Sequence, residues 1–356
     1  MWSPAAKCRR LFAAGSLAKW AGYVDQYLLF PRHVRKSLES VAADTLFVFC
    51  DQALGPWVPL VKSRPHVVHA HDLLALRSAL GEIPENPTSI TGRIYQRYIR
   101  RGFRKARHFI SASNKTRDDL HRFGHVTPQS SEVVYNGLNF PYQPMAKAQA
   151  QEVLRAAGLP DAPNGMLLHV GGSQWYKNQA GVIAIYAHYV AREPNPMPLW
   201  CISPKPGAAL QPALSKVGQK GQVLFFQNLA GPTLQAAYSC AAAMLFPSLA
   251  EGFGWPLIEA QACGCPVITT NEPPMNEVAG DAAVYLPRLE FGEDVEAWAA
   301  NGAAVLKELL TESAAERSYR TQRSAAWTKN FDADKSIEAY LAIYDRVLGA
   351  ASVAGS

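Results

Sequence analysis

The chain has 356 residues, 48% hydrophobic and 18% charged, a balance that excludes intrinsic disorder and allows two domains of ordinary size, each with its own core. No apolar run approaches the length of a membrane span. The formal net charge of +6 is unevenly shared, since residues 1–147 hold 21 Lys and Arg against 10 Asp and Glu, and the remainder 14 against 19. Of the six cysteines only Cys263 and Cys265 lie close together; one C-x-C makes a poor zinc site, and buried thiols in a reducing cytoplasm are expected instead.

In chain order, Arg9-Arg10 before Leu11-Phe12-Ala13-Ala14-Gly15 has the outline of a signal peptide, but the apolar stretch is short and Lys19 and Trp20 follow at once, so it is not read as one. Strands are predicted at 45–50, 66–70, 107–112 and 132–135, with helical stretches after the second and third. Across 93–107, Arg93, Arg97, Arg100, Arg101, Arg104, Lys105 and Arg107 interleave with Ile94, Tyr98, Ile99 and Phe103 at helical spacing. This stripe is read first as a solvated face and second as a surface for acidic phospholipid or an anionic acceptor. Nucleic acid is set aside, because the other half of the chain is acidic and no zinc-finger, RNP or helix-turn-helix pattern accompanies the stripe. Asn136-Gly137-Leu138-Asn139-Phe140-Pro141 and then Pro144 mark a boundary. The expected division is a first domain over 1–144, a second over 145–330, and a terminal helix over 331–348 packing back toward the first.

The second half alternates more regularly. Strands are predicted at 166–170, 198–202, 222–226, 242–246, 266–269 and 283–286, and from 293 onward the pattern is helical. Such alternation means an α/β architecture, a parallel sheet covered by helices on both faces, with ligands at the carboxyl ends of the strands. After the strand at 166–170, Gly171-Gly172 makes a turn and Lys177 precedes the next helix, where it can reach a diphosphate as a point charge. Apolar Ala243-Met244-Leu245-Phe246 is stopped by Pro247, and Glu251-Gly252-Phe253-Gly254-Trp255-Pro256-Leu257-Ile258-Glu259 follows. Gly252 and Gly254 permit close backbone approach, and Pro256 suits the first turn of a helix whose unpaired N–H groups make an anion site. Glu259, in that turn, can accept two hydrogen bonds from vicinal ribose hydroxyls, while Glu251 across the glycines would face a sugar. The plainer alternatives are that Glu259 only complements the helix dipole and that Glu251 and Lys177 are solvated. Asp332-Ala333-Asp334 has the form of a metal-binding D-x-D, but its place between helical segments reads as a cap.

Together with Leu245-Phe246-Pro247-Ser248 before it and Glu259-Ala260-Gln261-Ala262-Cys263-Gly264-Cys265-Pro266 after it, the nine-residue segment resembles the donor-site signature of family 4 glycosyltransferases, retaining enzymes of the GT-B fold. The resemblance runs over about residues 65–345 and is most specific over 165–290. It implies two Rossmann-like domains with parallel sheets facing across a cleft, donor on the second and acceptor on the first. It implies transfer of a hexose from a nucleoside diphosphate sugar to a hydroxyl of a glycan, lipid-linked or small-molecule acceptor, with retention and without metal or other cofactor. Catalytic roles are implied for Glu251, Lys177 and His71, the last matching an H-x-H-[DE] setting in His69-Ala70-His71-Asp72, with Asp72 read as a helix cap. Donor-binding positions are implied at Gly171, Gly172, Lys177, Asn228, Leu229, Glu251, Gly252, Phe253, Gly254, Trp255 and Glu259, the Asn228-Leu229-Ala230-Gly231 loop lying where relatives contact the base.

Two features depart from the family pattern. Residues 1–23 lack the usual strand, glycine-rich loop and helix, so the first domain is expected to be incomplete at its start. The arginine common in the Lys177 loop is also missing, with Gly172 and Tyr176 in its neighbourhood. The rivals are therefore a sugar-nucleotide epimerase or hydrolase of the same fold and a catalytically silent nucleotide-sugar-binding protein. A cytoplasmic location is expected, with peripheral contact to the inner face of the cell membrane if the basic stripe meets acidic lipid.

Overall fold

The structure, a computed structural model, describes residues 2–12, 15–229 and 231–354. Two wholly parallel sheets organise it. The first contains β1 (Phe47–Phe49), β2 (His66–Ala70), β3 (His108–Ser111) and β4 (Ser130–Val133) in that spatial order. The second contains β5 (Met166–Val170), β6 (Leu199–Ile202), β7 (Val223–Phe226), β8 (Ala241–Phe246), β9 (Val267–Thr270) and β10 (Val284–Leu286), in the order β10-β9-β8-β5-β6-β7. Continuous apolar runs form the central strands because helices cover both faces, so no side of the pleat meets water; β2 and β6 are buried at every residue.

The predicted strands recur with ends moved by one or two residues. The largest displacement is β4, expected at 132–135 and found at Ser130–Val133. This is an edge strand, where pairing with β3 sets the register, and the apolar Val134 beyond it is buried under the terminal helix instead. Of the cysteines, Cys201, Cys240, Cys263 and Cys265 are buried thiols, as expected of most of them, while Cys8 is half-buried and Cys50, just past β1, is exposed.

Strand order reverses between β5 and β8, which are neighbours although two strands separate them in the chain. That reversal opens a crevice at the carboxyl ends of both strands, where their outgoing loops must part. The second core lies on both sides of this sheet, with Trp200, Phe246, Phe253 and Phe331 on one and Tyr186, Trp298 and Leu306 on the other. The terminal helix Ala333–Ala354 returns to the first sheet, packing Ile343 and Val347 on Val67, Ile110 and Val134. There His69 Nε2 lies 2.7 Å from the Tyr344 hydroxyl, and Ser336 Oγ donates to Tyr135 O at 2.8 Å. Asp332 Oδ1 accepts from the N–H groups of Asp334 and Lys335, so the D-x-D carboxylate caps this helix as expected.

Candidate functional site

The loops after β5 and β8 meet at the crevice. Gly171 lacks a side chain where the aliphatic stem of Lys177 passes, an added Cβ lying only 3.1 Å from Lys177 Cδ. Gly172 turns the chain beside Gln174. Asn178, at φ 50°, begins the helix Gln179–Arg192: its carboxamide accepts from Gly181 N–H and donates to Pro247 O at 3.0 Å, which ties the β5 loop to the end of β8. Lys177 Nζ then reaches Glu251 Oε1 at 2.8 Å and stands 4.9 Å over the Phe246 ring. Ser248 Oγ donates to the same carboxylate oxygen at 2.9 Å. The Lys177 and Glu251 side chains are only 12% and 8% exposed, so this ion pair is largely desolvated. Burial pushes the Glu251 carboxyl above its ordinary pKa, and Lys177 and Ser248 oppose that push.

Beneath the pair lies His169, fully buried, with its pKa lowered to about 4 by burial. Its Nδ1 is 2.9 Å from Leu245 O, a group that can only accept, so Nδ1 carries the proton and the ring is neutral. The Lys177 ammonium is thus the charge facing the loop.

The helix Trp255–Ala262 starts at Gly254, whose φ of 98° belongs to the left-handed region, and Pro256 occupies its first turn. Glu259 is 6% exposed and accepts from Tyr238 OH at 2.8 Å. Burial raises its pKa too, against Tyr238 and the Lys177 charge. A raised folded pKa means the folded chain binds the proton that the unfolded chain has already released, so this group's contribution to stability falls as pH rises through the window from its ordinary value near 4.5 to the raised one. Glu259→Gln is therefore expected to flatten the stability-pH curve in that window; denaturant titrations giving parallel curves for the two proteins would contradict it.

His71 and Asp72 face these loops from the end of β2. His71 is exposed, its Nε2 lies 2.8 Å from Cys50 O, and its N–H donates to Gln52 Oε1. Asp72 Oδ1 accepts from Leu74 N–H at 2.9 Å in a turn just ahead of the helix Leu74–Leu80, but Leu73 holds the N-cap position and no side chain caps it, which corrects the reading of Asp72 as the cap. Gly252 presses on this turn: an added Cβ would stand inside van der Waals contact of His71 O and 2.8 Å from Asp72 Cβ. The Gly252 carbonyl accepts from Ser113 Oγ at 2.8 Å, with Thr116 Oγ1 at 3.1 Å. A cavity of about 260 Å³ opens beside Glu251, between Arg77 and Lys115 of the first domain and Trp175, Glu272 and Arg288 of the second.

Of the expected site residues, Glu251 alone lines this cavity; His71, Gly171, Gly172, Lys177, Gly252 and Gly254 do not. Glu259 does not line this cavity; it sits among Tyr238 and other buried groups, with Lys177 as the charge both carboxylates feel. Phe253 turns into the core between Tyr135 and Phe331, at ring distances of 6.3 and 5.9 Å, and the half-buried Trp255 packs on the same cluster. Asn228, at φ 58°, is exposed beyond β7, and Leu229 rests on the core. Ala230 lies outside the described residues.

Sequence reasoning missed the latch that holds the loops together. The Glu277 carboxylate of the second domain accepts from Asn114 N–H at 2.6 Å, Lys115 N–H at 3.2 Å and Asn114 Nδ2 at 2.8 Å, at the N-terminus of the helix Asn114–Gly124. An anion there meets the positive end of the helix dipole. An ion pair between Arg288 and Glu85 makes a second tie across the cleft. Ser113 has the sequence mark of a helix cap, but nothing local marks Glu277, whose partners lie more than 160 residues away. Glu277→Ala is expected to loosen the closed cleft, increasing proteolysis in the loop after Gly137; an unchanged digestion pattern would show that the latch holds nothing.

The fold and this crevice define the chain as a GT-B protein, two Rossmann-like domains closed on each other. Residues 16–140 match the model "Glycosyltransferase Family 4" and residues 151–321 the model "Glycosyl transferases group 1", and the chain belongs to this family of glycosyltransferases. It is 23% identical over 201 residues to the O-antigen chain mannosyltransferase RfbU of Salmonella typhimurium, covering 56% of this chain and 52% of that one. It is 27% identical over 292 residues to D-inositol 3-phosphate glycosyltransferase of Mycobacterium avium, covering 80% and 64%. The chain thus spans between about half and two thirds of the length of these relatives. Among solved structures, Anabaena Alr3699/HepE in complex with UDP and glucose superimposes with a TM-score of 0.68 at 16% identity, covering 94% of this chain and 90% of that one.

Proposed function

We propose that this chain moves a hexose from a nucleoside diphosphate sugar to an acceptor hydroxyl, with retention at the anomeric carbon. The observation that carries the reading is the desolvated Lys177–Glu251 pair at the β5–β8 reversal, beside a helix N-terminus and opposite His71. With the donor bound, the Lys177 ammonium swings from Glu251 to the diphosphate, and Glu251 is released to accept hydrogen bonds from sugar hydroxyls. The N–H groups at the start of Trp255–Ala262 hold the rest of the diphosphate charge. Glu259 takes the ribose hydroxyls, exchanging its bond from Tyr238 for theirs. His71 contacts the sugar from the first domain.

Glycosyl transfer passes through an oxocarbenium-like state, so the main demand is to stabilise charge on the leaving group. The bond from C1 to the diphosphate oxygen breaks, the acceptor oxygen bonds C1 on the same face, and the acceptor proton passes to the departing phosphate oxygen. No protein nucleophile enters this scheme, and a lysine with a helix dipole meets the charge without a metal. The names of the curated relatives, mannosyltransferases among them, support a hexose; the UDP and glucose held by the Anabaena protein support the donor class.

Thermal melting against a panel of nucleotide sugars tests this. A ligand at a hundred times its Kd adds about 2.7 kcal/mol of stability, so one donor should raise Tm clearly while its free sugar does not. NMR of the product should show the donor's anomeric configuration. No shift with any nucleotide sugar, or an inverted product, would contradict the reading. Donor turnover needing no acceptor would favour the hydrolase instead.

A further inference from the structure

We propose that the outer face of the first domain docks on an anionic lipid bilayer, a surface independent of the sugar-transfer reading. The helix Ser16–Val24 continues through Asp25–Leu29 into Phe30–Leu38. Its inner side carries Ala18, Ala21, Phe30 and Val34, all buried. Its outer side carries Leu17, Trp20, Val24 and Leu28, spaced one helical turn apart and 63%, 66%, 36% and 53% exposed. A stripe of this size has no reason to face water on a surface that only solvates the fold. Beyond Leu28 the same side becomes cationic, with Arg32, Arg35 and Lys36 exposed.

A second stripe runs beside the first. On the helix Ile90–Phe103, Ile90, Ile94 and Tyr98 are exposed, 77%, 59% and 45%, while Ile99 and Phe103 are buried. The two stripes are joined by tyrosines: Tyr27 OH is 2.8 Å from Tyr95 OH, Tyr27 packs edge-on to Tyr98, and Tyr23 contacts both Tyr27 and Tyr95. Rings with a polar tip suit the headgroup level of a bilayer. Next to them Arg97, Arg100, Arg101, Arg104 and Lys105 line a recess of about 450 Å³. None of these five is ion-paired among the described residues; Arg100 and Arg104 reach only the carbonyls of Phe123 and His125.

Charge chooses the occupant. No Asp or Glu occurs between Glu85 and Asp118, and the only one before Glu39 is Asp25. Asp25 is 3% exposed and accepts from the N–H groups of Cys8 and Arg9, so it turns no charge outward. An apolar ridge, a tyrosine seam and a cationic recess with no outward carboxylate match the layers of an acidic membrane surface in order: acyl boundary, headgroup and phosphate. Among the described residues no helix is long and apolar enough to cross a membrane, and the proposed contact is interfacial. Neither feature alone anchors firmly, which is why both are needed.

Co-sedimentation with vesicles of phosphatidylcholine, with and without phosphatidylglycerol, tests the proposal on the whole chain. Binding is expected only with phosphatidylglycerol and is expected to fall with added salt. Arg97→Glu with Arg101→Glu should lower partitioning at least roughly tenfold, since each basic side chain near such a surface adds about a factor of five, and Trp20→Ser should lower it several-fold. All three positions are exposed, and matched melting curves would show that the variants fold. Equal sedimentation with both vesicle types, or full binding by the charge-reversed protein, would overturn the proposal. Light scattering showing a dimer that Trp20→Ser dissociates would also overturn it, because the ridge would then belong to a second copy.

Discussion

Changing Gly252 to alanine is expected to lower kcat/KM at least roughly 100-fold, the size of effect that an ångström of misplacement produces in an assembled site. The backbone at Gly252 is not in the left-handed region, so alanine brings no conformational strain of its own. What it brings is a methyl group against His71 O and Asp72 Cβ. Both contacts belong to the opposite domain, so the relief available is to part the two domains or to push the loop off Ser113 and Thr116. Each domain's core is untouched, and Tm should change little relative to activity. Small-angle scattering should report a more open molecule; native activity with an unchanged radius of gyration would show that the close approach serves no purpose.

Removing the Lys177 ammonium is expected to lower kcat by about 10²–10³, the range found when one group that stabilises developing negative charge is deleted. It should also cost stability, because it strands a buried carboxylate; breaking such pairs costs about 3–5 kcal/mol. Glu251 can escape part of that cost by taking up a proton, since burial already raises its pKa and Lys177 is the first influence opposing the rise. The folded pKa of Glu251 in Lys177→Met is thus raised further above the unfolded value. The lost stability should return as pH falls through that raised pKa, and be fully absent above it. Adding Glu251→Gln to Lys177→Met should restore stability at neutral pH but not activity. A double variant as unstable as the single one would mean that the ion pair is not the reason for the loss.

Much of this arrangement was legible from residue types alone, for reasons that differ by element. The strands of the second sheet could be read because burial on both faces demands unbroken apolar runs, as at Met166–Val170, and because Gly171 and Pro247 punctuate two of them. Lys177, Glu251 and the helix start after Gly254 could be placed because glycine, proline and charge fall together within a few residues. What could not be read is what depends on distance in the chain. Glu277 caps a helix of the other domain, Arg288 meets Glu85 across the cleft, and Phe253 leaves the loop for a core built around Phe331. Each is settled by how two sheets close on each other, which leaves no local periodicity. Ile94 and Tyr98 show the converse: helical spacing marks an apolar face but does not say that anything covers it.

In the proposed mechanism Glu251 with Lys177 grips the sugar and diphosphate, and Glu259, outside the cavity beside Glu251, reaches the ribose by giving up its bond from Tyr238. Titration calorimetry of UDP and GDP into the native chain and into Glu259→Ala tests it most directly, because it reads nucleotide affinity without needing the acceptor. Loss of a charge-assisted hydrogen bond should weaken binding of the preferred nucleotide by roughly tenfold or more. Equal affinity in the two proteins would contradict the account.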